Sequence, residues 1–288
     1  MIYYFQKIKM NKLIVNIRNE LRSYIQENNI KSLILGISGG IDSTLCAILA
    51  KPVCKELNIP LIGRSLPSFT NNKSENDRAK LIGERFCTEF KEVNINETFY
   101  RIYDICDDNH DVLPPESKDA ILSGNMKARI RMILLYDLAG GNDGMVLSTD
   151  NYTEYLLGFW TLHGDVGDFG MIQSLWKTEV YDIVEWIRDN EFKDFSDIVF
   201  KEKEILSQVL TADATGGLGI TSTDLDQIMP GWSGTSRNGY KIVDDRLKKY
   251  LVYNAGDLDD PVIHRYIRTK FKRKNPINIS RDKIYIKS

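Results

Sequence analysis

The segment whose residue types are best suited to chemistry is SGGIDS, residues 38–43. It follows a short apolar run, Leu33–Ile37, that is typical of a buried strand, and it precedes an apolar run, Thr44–Ala50, that favours a helix. Gly39 and Gly40 allow a tight turn and let a ligand approach the backbone closely. The first amides of a helix lack intrahelical partners and lie at the positive end of its dipole, so this pattern predicts an anion site, usually for phosphate.

The type of loop narrows the chemistry. An ordinary turn in which Asp42 or Ser43 caps the helix is the simpler alternative. The segment has neither the lysine of GxxxxGK[ST] nor the spacing of GxGxxG. Its S-G-G-x-D-S pattern resembles the pyrophosphate loop of the N-type ATP pyrophosphatases. That resemblance implies that ATP is cleaved between its α and β phosphates while an acceptor oxygen becomes adenylated. Asp42 suits Mg²⁺, which prefers carboxylate and phosphate oxygens.

Strands and helices alternate along the chain. Predicted strands include Leu33–Ile37, a segment from Ile59 to about Pro67, Phe90–Ile95 and Gly144–Thr149. Predicted helices include Asn11–Glu27, Ser74–Phe86 with Ser74 as its N-cap, Asn96–Asp108 and Gly124–Gly141. This order predicts an α/β fold with a doubly wound parallel sheet flanked by helices, in which ligands bind beyond the carboxyl ends of the strands.

A second stretch carries polar groups to the same edge of the predicted sheet. Thr149 and Asp150 fall at the carboxyl end of the fourth strand, and Glu154 lies one turn into the next helix. Residues 164–170 form an acidic, glycine-rich loop. Each feature alone has an ordinary alternative, namely an N-cap, a capping-box partner and a solvated connector.

Taken together, the motifs give a specific resemblance. The chain is similar to the ammonia-dependent NAD synthetases over most of its length. The matching segments, in the family's order, are SGGIDS at 38–43, GNMKARIRM at 124–132, Ser148-Thr149-Asp150 with Glu154, GDVGD at 164–168, Lys177-Thr178, Thr211-Ala212-Asp213 and Lys272-Arg273. The implied fold is a Rossmann-like, adenine nucleotide alpha-hydrolase-like sheet.

The resemblance implies a role for each matched residue. ATP is expected to contact Gly36, Ile37, Ser38, Gly39, Gly40, Ile41, Asp42, Ser43, Thr149, Lys177 and Thr211. Deamido-NAD is expected to contact Asn125, Arg129, Asp168, Phe271 and Lys272. Mg²⁺ is expected on Asp42 and Glu154, and Asp42 and Lys177 are the expected catalytic residues. No side-chain nucleophile is implied, because the substrate carboxylate attacks ATP and ammonia then displaces AMP.

The chain departs from the family pattern mostly on the acceptor side. Ser148 and Asn151 replace the family's Gly and His, Leu162 replaces a Lys, and Phe271 replaces the tail His. The GDGGxD motif is one residue short, so Asp168 matches it only across a deletion. Adenylation is therefore predicted more firmly than the identity of the acceptor.

Composition excludes several classes. The 288 residues carry a net charge of −2, which does not indicate a general nucleic-acid surface. The sequence lacks an apolar run long enough to span a membrane, and its four cysteines include no CxxC pair, which favours a reducing, cytoplasmic location. We expect one domain over residues 1–288, with a core at about 30–190, a mobile lid at about 203–235 and a C-terminal tail at about 260–288.

The predicted function is ATP-dependent amidation of deamido-NAD to NAD. Two alternatives are another pyrophosphate-loop ligase, of the tRNA-thiolating or GMP-synthetase type, and a nucleotide-binding protein without catalysis. Free ammonia is the expected nitrogen donor, because only about 30 residues precede the first strand, the four cysteines fall inside predicted helices or at their ends, and no sequence context pairs a histidine with any of them. The resemblance implies a homodimer. The apolar content of Asn125–Leu138 supports this weakly, through Met126, Ile130, Met132, Ile133, Leu134, Leu135 and Leu138.

Overall fold

Four parallel strands form the centre of the protein. The computed structural model describes residues 2–106, 120–192, 197–280 and 283, with the side chains of 2–8 and 197–199 not described. The strands are β1 (Ser32–Gly36), β2 (Leu61–Ser65), β3 (Glu89–Glu92) and β4 (Gly144–Val146). Their order in the sheet is β3-β2-β1-β4, and all three pairings are parallel. The predicted α/β fold with a parallel sheet is confirmed.

Helices follow the strands as the sequence pattern indicates. They are α1 (Ile2–Glu27), α2 (Ile41–Leu57), α3 (Lys73–Phe86), α4 (Asn96–Cys106), α5 (Ala120–Gly140), α6 (Tyr152–Leu157), α7 (Lys177–Asn190), α8 (Asp197–Thr211), α9 (Ser236–Tyr253) and α10 (Pro261–Arg268). The predicted last two residues of α4 and most residues beyond 280 lie outside the described part of the chain. Within the described residues, no helix is long and apolar enough to cross a membrane.

Both faces of the sheet are covered, which is why β1 is buried on both sides. One apolar cluster joins β1 to α1, α2, α3, α7 and α8. A second joins β1, β2 and β4 to α4 and α5. A third cluster, built from α6, α9 and α10, lies beside the sheet and includes Leu157, Tyr240 and Val262. Together these clusters hold the carboxyl ends of β1 and β4 next to α6 and the start of α7.

Helix boundaries correct two expectations about N-caps and place the first residues of the predicted lid in a helix. Helix α2 begins at Ile41 rather than Thr44, with Gly40 as its N-cap, so neither Asp42 nor Ser43 caps it. Asn72, not Ser74, caps α3, because its side chain accepts the Glu75 amide at 2.9 Å in a capping box. The first residues of the predicted lid, 203–211, form the end of helix α8, which packs on α3 and α7.

Helix α5 uses most of its apolar residues inside the chain. Ile130 and Leu135 are buried in the second cluster, and Met126, Met132, Leu134 and Leu138 pack against it. Ile133 is the member of the predicted apolar set that stays open, with 62% of its surface exposed. The apolar content of this helix is therefore explained largely by packing within the chain.

Candidate active site

A cavity with a volume of about 920 Å³ lies beyond the carboxyl ends of β1 and β4. Its size is suited to a nucleotide-sized ligand. It brings together most of the site residues predicted from sequence. Those that line it are Gly36, Ile37, Ser38, Gly40, Ile41, Asp42, Ser43, Asn125, Arg129, Thr149, Glu154, Lys177, Phe271 and Lys272.

The SGGIDS loop is held by its own hydroxyls. Ser38 Oγ lies 3.1 Å from Ser43 Oγ and accepts the Gly40 amide at 3.2 Å. Ser43 Oγ also donates to Gly40 O at 3.2 Å. Because Gly40 offers no capping side chain, the first turn of α2 presents its amides at the cavity. This is the anion-binding arrangement that the sequence predicts.

Gly39 does not line the cavity but is required by the turn. Its φ is +83°, and a Cβ built there would lie 2.4 Å from Glu75 O. The absence of a side chain therefore lets the loop pack directly on the backbone of α3. Gly231 is a natural comparison, because its φ is +84° and a Cβ there meets nothing within 4 Å.

We expect Gly39→Ala to destabilise the fold more than Gly231→Ala. Both variants force an L-residue into a left-handed conformation, at about 1–2 kcal/mol each. In Gly39→Ala the new Cβ also collides with the backbone, and overpacking of this kind lowers the free energy of unfolding by about 1–3 kcal/mol more. Chemical denaturation of both variants measures the difference, and equal free energies of unfolding would contradict the close approach.

A buried lysine joins the two predicted metal ligands. Lys177, 3% exposed, begins α7, and its Nζ lies 2.5 Å from Asp42 Oδ2 and 2.8 Å from Glu154 Oε1. The ammonium also lies 5.2 Å from the ring centroid of Tyr240. One cation thus ties together the first turns of α2, α6 and α7.

Asn151 positions both carboxylates. Its Oδ1 accepts the Glu154 amide at 3.0 Å, and Glu154 Oε2 accepts the Asn151 amide at 3.3 Å, which forms the capping box of α6. Its Nδ2 donates to Asp42 Oδ1 at 2.9 Å. Asn151, rather than Thr149 or Asp150, is therefore the N-cap, and this departure from the family pattern serves the site.

Burial and charge set the protonation of this cluster. The pKa of Glu154 rises to about 7 because the carboxyl is buried and Asp42 is close, although Lys177 opposes the shift. Burial alone would lower the pKa of Lys177, but Asp42 and Glu154 raise it well above its usual value. Burial also raises the pKa of Asp150, and that of Asp224 to about 6. Lys177 is therefore a cation at neutral pH, and its positive charge favours the ionised form of the carboxyl groups beside it.

Cationic and apolar groups share the far side of the cavity. Arg129 is exposed, and its Nε donates to Leu162 O at 3.3 Å. Asn125 Oδ1 accepts the Thr161 hydroxyl at 2.8 Å. Phe271 is 48% exposed and lines the same wall. The two apolar departures, Leu162 and Phe271, are therefore both cavity residues.

The C-terminal segment caps helix α6. Lys272 Nζ donates to Gly158 O at 2.7 Å and also to Trp160 O. Arg265 Nε donates to Leu157 O at 2.9 Å. Cations at the carboxyl end of a helix satisfy its free carbonyls and its dipole. Burial lowers the pKa of Lys272 to about 8. Lys272 thus lies in the cavity while its ammonium holds the chain that leaves α6.

Besides Gly39, two further predicted contacts lie outside the cavity. Asp168 is exposed, and its carboxylate accepts the Tyr136 hydroxyl at 2.8 Å and the Val146 amide at 3.0 Å. Thr211 ends α8, and its hydroxyl donates to Ser207 O at 3.0 Å. Their contacts with substrate and ATP stay predictions. Asp165 is the acidic residue of the 164–170 loop that lines the cavity.

Other cavity residues carry no assignment from the sequence. Arg131 lines the cavity and is anchored by its Nε on Leu66 O at 3.0 Å and its Nη2 on Asn71 Oδ1 at 3.0 Å. Asp224 and Arg265 come from segments without a motif. Arg131 can be found from the sequence, because it lies two residues after Arg129 in the GNMKARIRM motif. Asp224 and Arg265 cannot, because they reach the site only through long-range packing.

Comparisons with known proteins found similar sequences and similar folds. The family model described as NAD synthase matches residues 13–276. An NH(3)-dependent NAD(+) synthetase from Thermoplasma volcanium is 32% identical over 279 residues, covering 94% of this chain and 98% of that protein. Two solved structures share the fold. An NMN synthetase from Francisella tularensis has a TM-score of 0.72 at 20% identity, covering 94% of this chain and 98% of that one. An NH3-dependent NAD synthetase from Campylobacter jejuni has a TM-score of 0.63 at 24% identity, with 94% and 99% covered.

Proposed function

The chain belongs to the NAD synthase family, and on that premise we propose that it converts deamido-NAD, ATP and ammonia into NAD, AMP and pyrophosphate. The single observation that carries the proposal is the convergence of Lys177, Asp42 and Glu154 beside the open amides of α2 in one cavity. A different pyrophosphate-loop ligase is not favoured, because the family match spans residues 13–276.

The first step is adenylation of the substrate. ATP is the family's co-substrate. The carboxylate oxygen of deamido-NAD attacks the α phosphorus, the bond from that phosphorus to the bridging oxygen breaks, and pyrophosphate leaves with the electron pair. The amides at the start of α2 and the Lys177 ammonium supply the positive charge that pyrophosphate needs as it departs.

The second step is aminolysis. The nitrogen of ammonia attacks the carbonyl carbon of the acyl adenylate, the acyl–oxygen bond breaks, and AMP leaves with that oxygen. The surplus proton passes to solvent or to a second molecule of ammonia. The walls of the cavity limit access of water to the adenylate.

Asp42 and Glu154 are the residues that would hold Mg²⁺. In the described part of the chain no group of three or more His, Cys, Asp and Glu side chains is arranged for a metal ion. Two carboxylates that face one cation fit an ion that takes its remaining ligands from phosphate oxygens and water. When bound, Mg²⁺ neutralises phosphate charge.

The remaining contacts follow the lining of the cavity. We assign ATP to Gly36–Ser38, Gly40–Ser43 and Thr149, and the acceptor to Asn125, Arg129 and the segment Phe271–Lys272. Arginine suits a pyrophosphate or carboxylate group because its planar fork can donate two hydrogen bonds. Thr211 and Asp168 remain assigned by resemblance alone.

Product analysis tests the proposal. Purified protein is incubated with ATP, Mg²⁺ and ammonium in three reactions. One contains deamido-NAD, one contains nicotinic acid mononucleotide, and one contains no acceptor. We include the mononucleotide because an NMN synthetase shares the fold and because Leu162 and Phe271 alter the acceptor wall. NAD formed with equal amounts of AMP and pyrophosphate supports the proposal. Turnover confined to the mononucleotide, or none at all, contradicts it.

Free ammonia is the expected nitrogen donor. Glutamine hydrolysis needs an activated cysteine, yet burial deactivates three of the four thiols, since it raises the pKa of Cys46 well above its usual value and those of Cys54 and Cys87 to about 12. Glutamine freed of ammonium should therefore give less than about 1% of the rate with ammonium. Comparable rates with the two donors would refute this prediction.

A homodimer and a cytoplasmic location complete the proposal. The free thiols of all four cysteines support a reducing compartment. The exposed apolar side chains Leu122, Ile133 and Tyr136 on α5 support self-association.

We expect light scattering at micromolar concentration to give twice the mass of one chain. Ile133→Asp should shift the protein towards the monomer, since a charge is buried poorly at an apolar interface. Val252→Asp, on another exposed apolar residue, should leave the mass unchanged. A monomeric wild-type protein would reject the dimer.

A further inference from the structure

A short glycine-rich segment closes one side of the cavity. Residues Thr215–Ile220, here called the lid segment, line the same cavity as the SGGIDS loop. Two side chains of the body bind its backbone. Thr70 Oγ1 donates to Gly217 O at 3.0 Å, and Lys127 Nζ donates to Leu218 O at 2.9 Å. The lid segment is therefore docked by donors that belong to the loop after β2 and to helix α5.

Lys127 is a buried lysine whose ammonium reaches the lid segment. Its side chain is 1% exposed, and its Nζ lies 4.5 Å from the ring centroid of Phe69 and 5.8 Å from that of Phe99. It also donates to Thr70 Oγ1 at 3.2 Å. A buried cation is unfavourable unless its donors are satisfied, and here a lid carbonyl satisfies one of them. Burial, together with the charge of Arg131, lowers the pKa of Lys127 to about 8.

Glycines let the segment approach the body closely. A Cβ at Gly217 would lie 2.7 Å from Asn71 Nδ2, and a Cβ at Gly219 would lie 2.6 Å from Thr70 Cγ2. Both residues have positive φ values, +59° and +77°. The glycines of GGLGI therefore permit the docked conformation, because other residues would collide with the body at these positions.

One lid side chain adds a third contact. Thr215 Oγ1 donates to Glu75 Oε1 at 2.5 Å, and Glu75 is itself the capping-box residue of α3. The start of the segment is thus tied to the helix whose backbone Gly39 also contacts. The SGGIDS loop and the lid segment share α3 as a common support.

We propose that Lys127 is a positioning residue, which forms with Thr70 a latch that keeps the lid segment docked as a wall of the substrate cavity. Neither residue lines the cavity itself, so each acts through the lid segment. The kinetic part of this inference rests on the proposed function, whereas the docking of the lid segment can be measured without substrates.

Loss of the latch should change affinity more than maximal rate. If the lid segment is docked in a smaller fraction of free protein, the apparent dissociation constant rises by the inverse of that fraction. Saturating substrate restores the docked state, so kcat stays close to the wild-type value. General loss of stability would instead lower the amount of active protein and leave KM unchanged.

The test is Lys127→Met, which keeps the length and the apolar contacts of the side chain but removes its donors. Hydrogen–deuterium exchange on the substrate-free protein should be about tenfold faster in peptides that cover residues 214–221, with other peptides unchanged. KM for ATP should rise about tenfold, with kcat within about twofold. Lys51→Met is the matched control, because Lys51 Nζ also lies over a phenyl ring and donates to a backbone carbonyl, that of Arg85, away from the lid segment.

Thr70 supplies an independent pair of variants if Lys127→Met does not fold. Thr70→Val removes the donor to Gly217 and should both speed exchange in residues 214–221 and raise KM for ATP. Thr70→Ser keeps the hydroxyl and should give wild-type values of both. Unchanged exchange in residues 214–221, or faster exchange spread over the whole chain, would overturn the latch. Faster local exchange with unchanged KM would overturn the positioning role. Absence of any activity in the wild type, with faster local exchange in the variants, would count against the proposed function and leave the latch intact.

Discussion

Asp42→Asn will reduce NAD formation by a factor on the order of 10² to 10³ while the protein remains folded. The asparagine keeps an oxygen that can accept the Asn151 amide, so the shape of the first turn of α2 is preserved. It places a neutral amide where the Lys177 ammonium now meets a carboxylate at 2.5 Å. An amide is also a weaker ligand for Mg²⁺, so the variant should need a higher Mg²⁺ concentration for its residual activity.

Steady-state kinetics and thermal unfolding, measured on the same preparations, check this result. Asp77→Asn is the matched control. Asp77 Oδ2 lies 2.6 Å from Lys73 Nζ on an exposed helix face, so this variant should change neither the kinetic constants nor the thermal unfolding. Near-normal turnover of Asp42→Asn with an unchanged Mg²⁺ requirement would refute the assignment of Asp42.

Lys177→Met will remove activity and also lower the free energy of unfolding by about 3–5 kcal/mol near pH 8. The variant leaves the Asp42 and Glu154 carboxylates facing each other without their shared cation. Because Lys177 opposes the rise in the Glu154 pKa, its loss moves that pKa further above the unfolded value. An acid whose pKa is raised by folding destabilises the fold as the pH rises between the two values. The deficit should therefore shrink at pH 5.5.

Urea denaturation at both pH values measures the deficit. Lys249→Met, which breaks an exposed pair with Asp245, should stay within about 0.5 kcal/mol of the wild type at either pH. Adding Glu154→Gln to Lys177→Met should recover much of the stability but no activity, because one buried charge is removed while the cation is still missing. A deficit that is the same at pH 5.5 and pH 8 would contradict the charge argument.

Local patterns were sufficient to predict the frame of the site. The apolar run before SGGIDS and the helical run after it place the loop at the end of β1, as the structure confirms. Gly39 and Gly40 mark the turn in the sequence, whereas the close approach of Gly39 to Glu75 O appears only in the fold. The sequence does not distinguish Asn72 from Ser74 as the N-cap of α3, because both are good caps and only Asn72 forms the capping box with Glu75.

Contacts between distant residues could not be predicted. Asn151 and Asp42 are 109 positions apart, and their hydrogen bond depends on how α6 packs against α2. The same holds for Lys272, whose ammonium binds carbonyl groups more than 100 residues away. In the lid, glycine content indicated mobility, whereas docking on Thr70 and Lys127 requires knowledge of the surface that it meets.

The most direct test of the central claim follows oxygen atoms. Deamido-NAD labelled with ¹⁸O in both carboxylate oxygens is turned over with ATP and ammonium, and the ¹⁸O content of each product is measured by mass spectrometry. Attack of the carboxylate on the α phosphorus requires that AMP carry one ¹⁸O and that the NAD amide keep the other. Label in ADP, in inorganic phosphate or in pyrophosphate, or unlabelled AMP beside newly formed NAD, would contradict an acyl-adenylate held in this cavity.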